Sequence, residues 1–226
     1  EETRPRLDDL WIEYAHWSPD GRRILIGAAC RGADLSGYQG GYTFQRVDPA
    51  LPDWMPQVDI GIDDSQWRSL WVYDIAEGTF RRISPDGMNP WEACWAGNTQ
   101  VACIASDGPH ENHWYRADIR IVDLASGRAR SLYRPKDQIG WLSASPDGSR
   151  LAVVNSFSSD RHSTTGELTV ISVADGAERR IETGGIDATF THWQSDTDLL
   201  FAGIRSLESA LALYDARNRA QNGWFV

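Results

Sequence analysis

Lysine is almost missing from this 226-residue chain: Lys136 is the single one, and arginine supplies the rest of the 22 basic residues. That skew reads as the coding bias of a GC-rich genome and not as a binding signal. Acidic residues number 32, so the formal net charge is −10. Nucleic-acid affinity rests on neutralising phosphates with basic side chains, so this balance argues against such a partner. Long apolar runs are absent as well, the longest being strand-sized, which removes a membrane-spanning helix. No amino-terminal secretion signal is visible, although a processed chain would have lost one.

Cysteine is scarce. Cys30, Cys94 and Cys103 fit neither a disulfide framework nor a zinc pattern. Counting back from a turn near Gly97-Asn98 places Cys94 opposite about Val101 and not Cys103, so free buried thiols are expected. This leans towards a reducing, cytoplasmic compartment and leaves a bacterial secreted or periplasmic one open. Also lacking is Gly-x-Ser-x-Gly, the strand-to-helix turn that exposes a catalytic serine. The two glycines four apart, Gly37 and Gly41, flank Gln39.

What the chain does have is a repeat. Trp17, Trp95, Ala144 and Trp193 hold one equivalent position before a tight turn, and Asp74, Asp123, Ser172 and Asp215 hold another near the end of a third strand. Trp95, Ala144 and Trp193 follow one another at steps of 49 residues, a spacing typical of propellers and arrays. Within each unit, short runs of branched and aromatic residues such as Arg23–Gly27, Leu70–Asp74, Ile119–Asp123 and Leu168–Ser172 read as strands.

Ser18-Pro19-Asp20-Gly21 and Ser145-Pro146-Asp147-Gly148 place Pro, Asp and Gly where a hairpin turn needs them. A second hairpin ends in Gly78, Gly127 or Gly176 and leads to a basic fourth strand, 80–83, 128–132 or 178–181. Charge suits an outer edge that must not pair with other chains. Ser84-Pro85-Asp86-Gly87 has the same letters but falls out of phase, and reads as a connection between units.

Four-stranded antiparallel units in tandem predict an all-β fold, a β-propeller, with four recognisable blades at about 10–83, 88–134, 138–182 and 186–226 of a single domain spanning 1–226. Trp17, Trp95 and Trp193 are expected to pack between blades. The chain opens at Glu1 without methionine and stops after a fresh apolar run, which favours part of a larger ring or polypeptide.

The phrases Trp17–Ile24, Ser145–Ala152 and Leu70–Asp74 resemble the WD40-like repeats of the N-terminal propeller in prolyl oligopeptidase-type (S9) serine peptidases, particularly the acylaminoacyl-peptidase branch, and those of TolB propellers. The resemblance covers nearly the whole chain and specifies a blade, not an activity. It implies a propeller that filters substrates for a separate α/β-hydrolase domain bearing a Ser-Asp-His triad. An attached hydrolase domain or second subunit and a peptide-like substrate then become the expected partners. No residue here matches the triad, so no catalytic residue and no cofactor are assigned.

Blade one departs from the repeat. Trp95 to Asp123 and Ala144 to Ser172 are each 28 residues, whereas Trp17 to Asp74 is 57. The excess forms an insertion at about 31–67, Gly-rich, then aromatic and Pro-bearing, then acidic at Asp59, Asp63 and Asp64. A loop this long points to function or disorder. It either projects as an arm, with Tyr38, Tyr42, Trp54 and Trp67 as anchors on a partner or substrate, or folds back and buries those rings. A shorter irregularity carries His110 and His113, weak metal candidates. Their loop spacing is not that of a metalloprotease helix, and a solvated loop with Trp114 tucked under it is the plainer expectation. His16, His192 and His162 read as repeat or loop residues. Three functions therefore stay open: the hydrolase propeller, a stand-alone TolB-like binding scaffold, and a metal-dependent lactonase type of propeller enzyme.

Overall fold

The computed structural model describes residues 10–30, 32–33, 52, 54–55, 66–157, 159–161, 163–217 and, as backbone, 220–225. Its strands form four antiparallel sheets in chain order. Blade one is β1 (Leu10–Trp17), β2 (Arg23–Cys30), β3 (Arg68–Asp74) and β4 (Thr79–Arg82); blade two is β5 (Asn89–Ala96), β6 (Gln100–Ser106), β7 (Asp118–Asp123) and β8 (Ala129–Tyr133). Blade three is β9 (Gln138–Ala144), β10 (Arg150–Ser156), β11 (Glu167–Ser172) and β12 (Glu178–Arg180); blade four is β13 (Asp187–Trp193), β14 (Asp198–Arg205), β15 (Glu208–Asp215) and β16 (Ala220–Phe225). Each sheet keeps the order first, second, third, fourth, and the first strand of each blade runs beside the first strand of the next. This is the propeller that the repeat predicts.

The turns explain why each hairpin closes where it does. Ser18 Oγ donates to Asp20 Oδ1 at 2.7 Å and accepts the Arg23 N–H at 2.9 Å. Ser145 repeats both bonds, to Asp147 at 2.6 Å and from Arg150 at 3.0 Å. Gly21 and Gly148 take φ of 69° and 73°, a region that costs a residue with a Cβ. Neighbouring turns also tie blades together. The Asp20 N–H donates to Asn98 Oδ1 at 3.1 Å, and the Asp147 N–H to Asp196 Oδ1 at 2.8 Å.

A sheet has two faces, and each core is made from facing sheets of successive blades. Leu25, Leu70 and Val72 of blade one meet Ala93, Trp95, Val101 and Leu124 of blade two. Ala102, Ile104 and Ile121 of blade two meet Leu151, Val153 and Val173 of blade three. Ala152, Val154 and Leu168 of blade three meet Trp193, Leu199 and Phe201 of blade four. None of the three cores joins blade four to blade one.

Three details correct the expectations. Trp95 and Trp193 are 5% and 4% exposed, as interblade packing requires, but Trp17 is 64% exposed. Its position faces away from blade two, towards a side where the described residues supply no preceding blade. The hairpin of blade two pairs Cys94 with Ala102 and Trp95 with Val101, one residue from the expected register. None of the three cysteines is in a disulfide, yet Cys103 alone is fully buried while Cys30 and Cys94 are half-buried.

Candidate functional site

The first strand of every blade carries a register shift at the same level. It falls between Ile12 and Tyr14 in β1, between Pro90 and Glu92 in β5, opposite Ala152 to Val154 in β9, and between Ala188 and Phe190 in β13. A bulge leaves one residue unpaired and re-aims its side chain, a device common beside functional sites. In blades one and two the bulged residues are Glu13 and Trp91.

Around them a buried charge cluster assembles from three blades. The Arg68 Nε donates to Glu13 Oε2 at 3.0 Å and its Nη2 to Oε1 at 3.2 Å, a two-pronged pairing. Arg161, on the loop between β10 and β11 of blade three, crosses blade two and donates from Nη2 to Glu13 Oε1 at 3.2 Å. Both guanidinium carbons lie over the Trp91 ring, 4.7 Å and 5.4 Å from its centroid. The Trp91 Nε1 donates to Ser106 Oγ at 2.8 Å and fixes the ring. Side-chain exposures of 1% for Arg68, 3% for Arg161 and 10% for Glu13 mark this as interior chemistry. Burial would raise the Glu13 carboxyl, but the Arg68 and Arg161 guanidiniums outweigh it and hold it below its ordinary value. Glu92, one residue past Trp91, goes the other way. Desolvation raises it although its Oε2 accepts the Leu142 N–H at 3.0 Å.

Beside the Arg161 loop opens a hollow of about 410 Å³ lined by Tyr115, Gln138, Phe157, Ser159, Asp160 and Ser163. Tyr115 Oη donates to Asp160 Oδ1 at 2.9 Å, and that bond, with burial and the nearby Glu111, pushes its phenol up to about 12. Phe157 stands 88% exposed at the rim. The loops of this region join second and third strands, as does the insertion of blade one, which leaves β2 at Cys30 and enters β3 at Arg68. The lining of the hollow is mostly polar, with the hydroxyls of Tyr115, Ser159 and Ser163, the Gln138 amide and the Asp160 carboxylate. Among the described residues of the cluster and hollow, no hydrogen bond joins a serine hydroxyl to a carboxylate or imidazole, and the Ser163 hydroxyl donates to the backbone carbonyl of Asp160 at 3.3 Å.

Trp67 is half-buried at the base of the insertion, where its carbonyl accepts the Cys30 N–H at 3.0 Å. Trp54 is 79% exposed. Tyr38, Tyr42, Asp59, Asp63, Asp64 and His162 lie outside the described residues. His110 precedes a one-turn helix α1 (Glu111–Trp114), and His113 within it lies against Gly108, where a Cβ would come 2.5 Å from Nε2. Trp114 is tucked in at 2% exposure. Among the described residues no group of three His, Cys, Asp or Glu side chains is placed to hold a metal. Glu13, Arg68, Trp91 and Arg161 were not legible as a cluster. Their one trace in the sequence is Glu13, a charge set inside the mostly apolar and aromatic strand Leu10–Trp17.

No protein-family model matches the chain, and no curated protein matches it. Solved structures do. TolB from Acinetobacter baumannii aligns over 92% of this chain and 41% of its own at 12% identity, with a TM-score of 0.56. A puromycin-hydrolyzing peptidase of Mycobacterium tuberculosis aligns over 94% and 29% at 13% identity, TM-score 0.57. A putative TolB from Agrobacterium tumefaciens aligns over 94% and 80% at 16% identity, TM-score 0.53. This chain thus spans less than half the length of the first two. Among the described residues no helix is long and apolar enough to cross a membrane. What these proteins and this chain share, at such low identity, is the β-propeller fold.

Proposed function

We propose that the chain is a non-catalytic propeller domain of a prolyl oligopeptidase-type serine hydrolase, filtering access to an α/β-hydrolase part outside these residues. The observation that carries the reading is the propeller likeness to the puromycin-hydrolyzing peptidase, of which this chain spans 29%. The collar of Glu13, Arg68, Arg161 and Trp91 then stiffens one end of the axis, and the hollow beside it meets the substrate. The insertion, with Tyr38, Tyr42, Trp54 and Trp67, supplies contacts to the hydrolase part or to substrate. A fluorophosphonate serine probe applied to the gene product tests this. Label should fall outside 1–226, and cleavage should fall off with peptide length. A product that takes no label overturns the reading.

A second reading, a stand-alone protein-binding propeller, is favoured by the match that covers 80% of the putative TolB chain. It predicts no label and a protein captured through the loops that carry Trp54 and Arg161. The lactonase type has no support beyond His110 and His113.

A further inference from the structure

The hollow beside the Arg161 loop has a one-sided chemistry, because the hydrogens of its polar lining are nearly all spent inside the protein. The Tyr115 hydroxyl donates to Asp160 Oδ1 at 2.9 Å, and the Ser163 hydroxyl to the Asp160 carbonyl at 3.3 Å. With its amide turned so that the nitrogen meets acceptors, Gln138 donates to the carbonyls of Phe157 and Ser156 at 3.1 Å and 3.2 Å. The Ser159 hydroxyl alone has no partner. What the lining has left is therefore acceptor capacity: Asp160 Oδ2, the Gln138 carbonyl oxygen and the lone pairs of the hydroxyls.

Charge points the same way. Among the described residues no lysine, arginine or histidine lines the hollow, whereas Asp160 does and Glu111 Oε1 stands 3.4 Å from the Tyr115 hydroxyl. The Arg161 guanidinium, which could have offset them, turns inward onto Glu13. Two rings, Phe157 and Tyr115, are exposed beside these acceptors. The Tyr115–Asp160 bond also ties blade two to the loop of blade three, so the carboxylate is held by one oxygen and offers the other.

We propose that this hollow binds a guanidinium group, the side chain of an arginine in a peptide. A guanidinium is permanently charged, carries five N–H donors and no acceptor, and stacks on aromatic rings. It brings what the lining lacks. A volume of about 410 Å³ is in the range of ligand sites. The proposal sharpens the role given to the hollow above but does not rest on a hydrolase part, since blades two and three supply every contact.

Titration calorimetry of the full gene product with Nα-acetyl-argininamide tests it, at low salt because exposed charges are screened. Binding should saturate, and the citrulline counterpart, similar in shape but uncharged, should bind about fivefold more weakly or not at all. Asp160→Asn should weaken the arginine ligand by a similar factor and leave any citrulline binding unchanged. Asp175→Asn removes the same charge from an exposed hairpin at the other end of β11 and should bind as the wild type does. If Asp160→Asn loses its circular-dichroism signal, Phe157→Ala replaces it and should also bind the arginine ligand more weakly. Absence of binding overturns the proposal, as does equal binding of the two ligands. A folded Asp160→Asn chain, or the Phe157→Ala chain in its place, that binds like the wild type overturns it too. So does an equal loss in Asp175→Asn, which would mean attraction to net charge alone.

Discussion

Glu13 is one carboxylate between two buried guanidiniums, so it sets the stability of the collar. Removing one partner of a buried ion pair leaves uncompensated charge, typically about 3–5 kcal/mol. Glu13→Gln is therefore expected to cost a loss of that order in urea unfolding, with Arg161→Ala costing less because Arg68 still pairs. The sign with pH follows from the direction of the shift. A carboxyl held below its ordinary value contributes stability above the carboxylate range and loses it as pH falls through the lowered value. The gap between wild type and Glu13→Gln should thus be full at neutral pH and shrink on acidification; a gap that widens in acid contradicts this. Glycines offer a second contrast. Gly148 and Gly127 both have positive φ, but a Cβ at Gly148 meets the Ala96 carbonyl carbon at 2.5 Å while one at Gly127 meets nothing within 4 Å. Gly127→Ala should cost about 1–2 kcal/mol and Gly148→Ala clearly more, read from thermal unfolding. The turn glycines were visible in the letters; the cluster, beyond one charge inside an apolar strand, was not. A bulge does not change the strand alternation enough to announce itself, and Arg161 comes from a loop whose path is fixed only by the fold.

Strands and hairpins were the most legible level, because their signals are local. Alternating apolar runs bounded by Ser-Pro-Asp-Gly leave few conformations open, and the observed Ser-to-Asp and backbone bonds are the ones such a tetrapeptide can make. Register was less certain by one residue at Cys94, since the turn at Gly97-Asn98 sets it through φ values that letters do not carry. Equivalence along the chain also misled at Trp17. Repeats predict the same environment only where the neighbouring blade is the same, and the described residues place no blade on the Trp17 side. Trp95→Ala should therefore cost about 3–5 kcal/mol, as a large aromatic deleted from a core, whereas Trp17→Ala should change stability by no more than about 0.5 kcal/mol. Equal losses in denaturant unfolding would mean that the two positions share one environment after all.

At the scale of the whole, the described blades pack each on the next, with stability arising at the interfaces between neighbours. Sequence showed the number of units because each repeats its own turn chemistry. It could not show which faces stay open, since an apolar face reads the same whether covered or bare. Function was least legible for a related reason: the fold supports many sites, and the collar depends on contacts between residues as far apart as Glu13 and Arg161. Among the described residues, blades two and three meet a neighbouring blade on both faces, and blades one and four on one face. Native-state hydrogen exchange measures this directly. The amides of β6, β7, β10 and β11 should exchange slowest, and those of β2, β3, β14 and β15 distinctly faster. Uniform protection across the four sheets, or slowest exchange in blade one or four, would contradict a stack held together by its three internal cores.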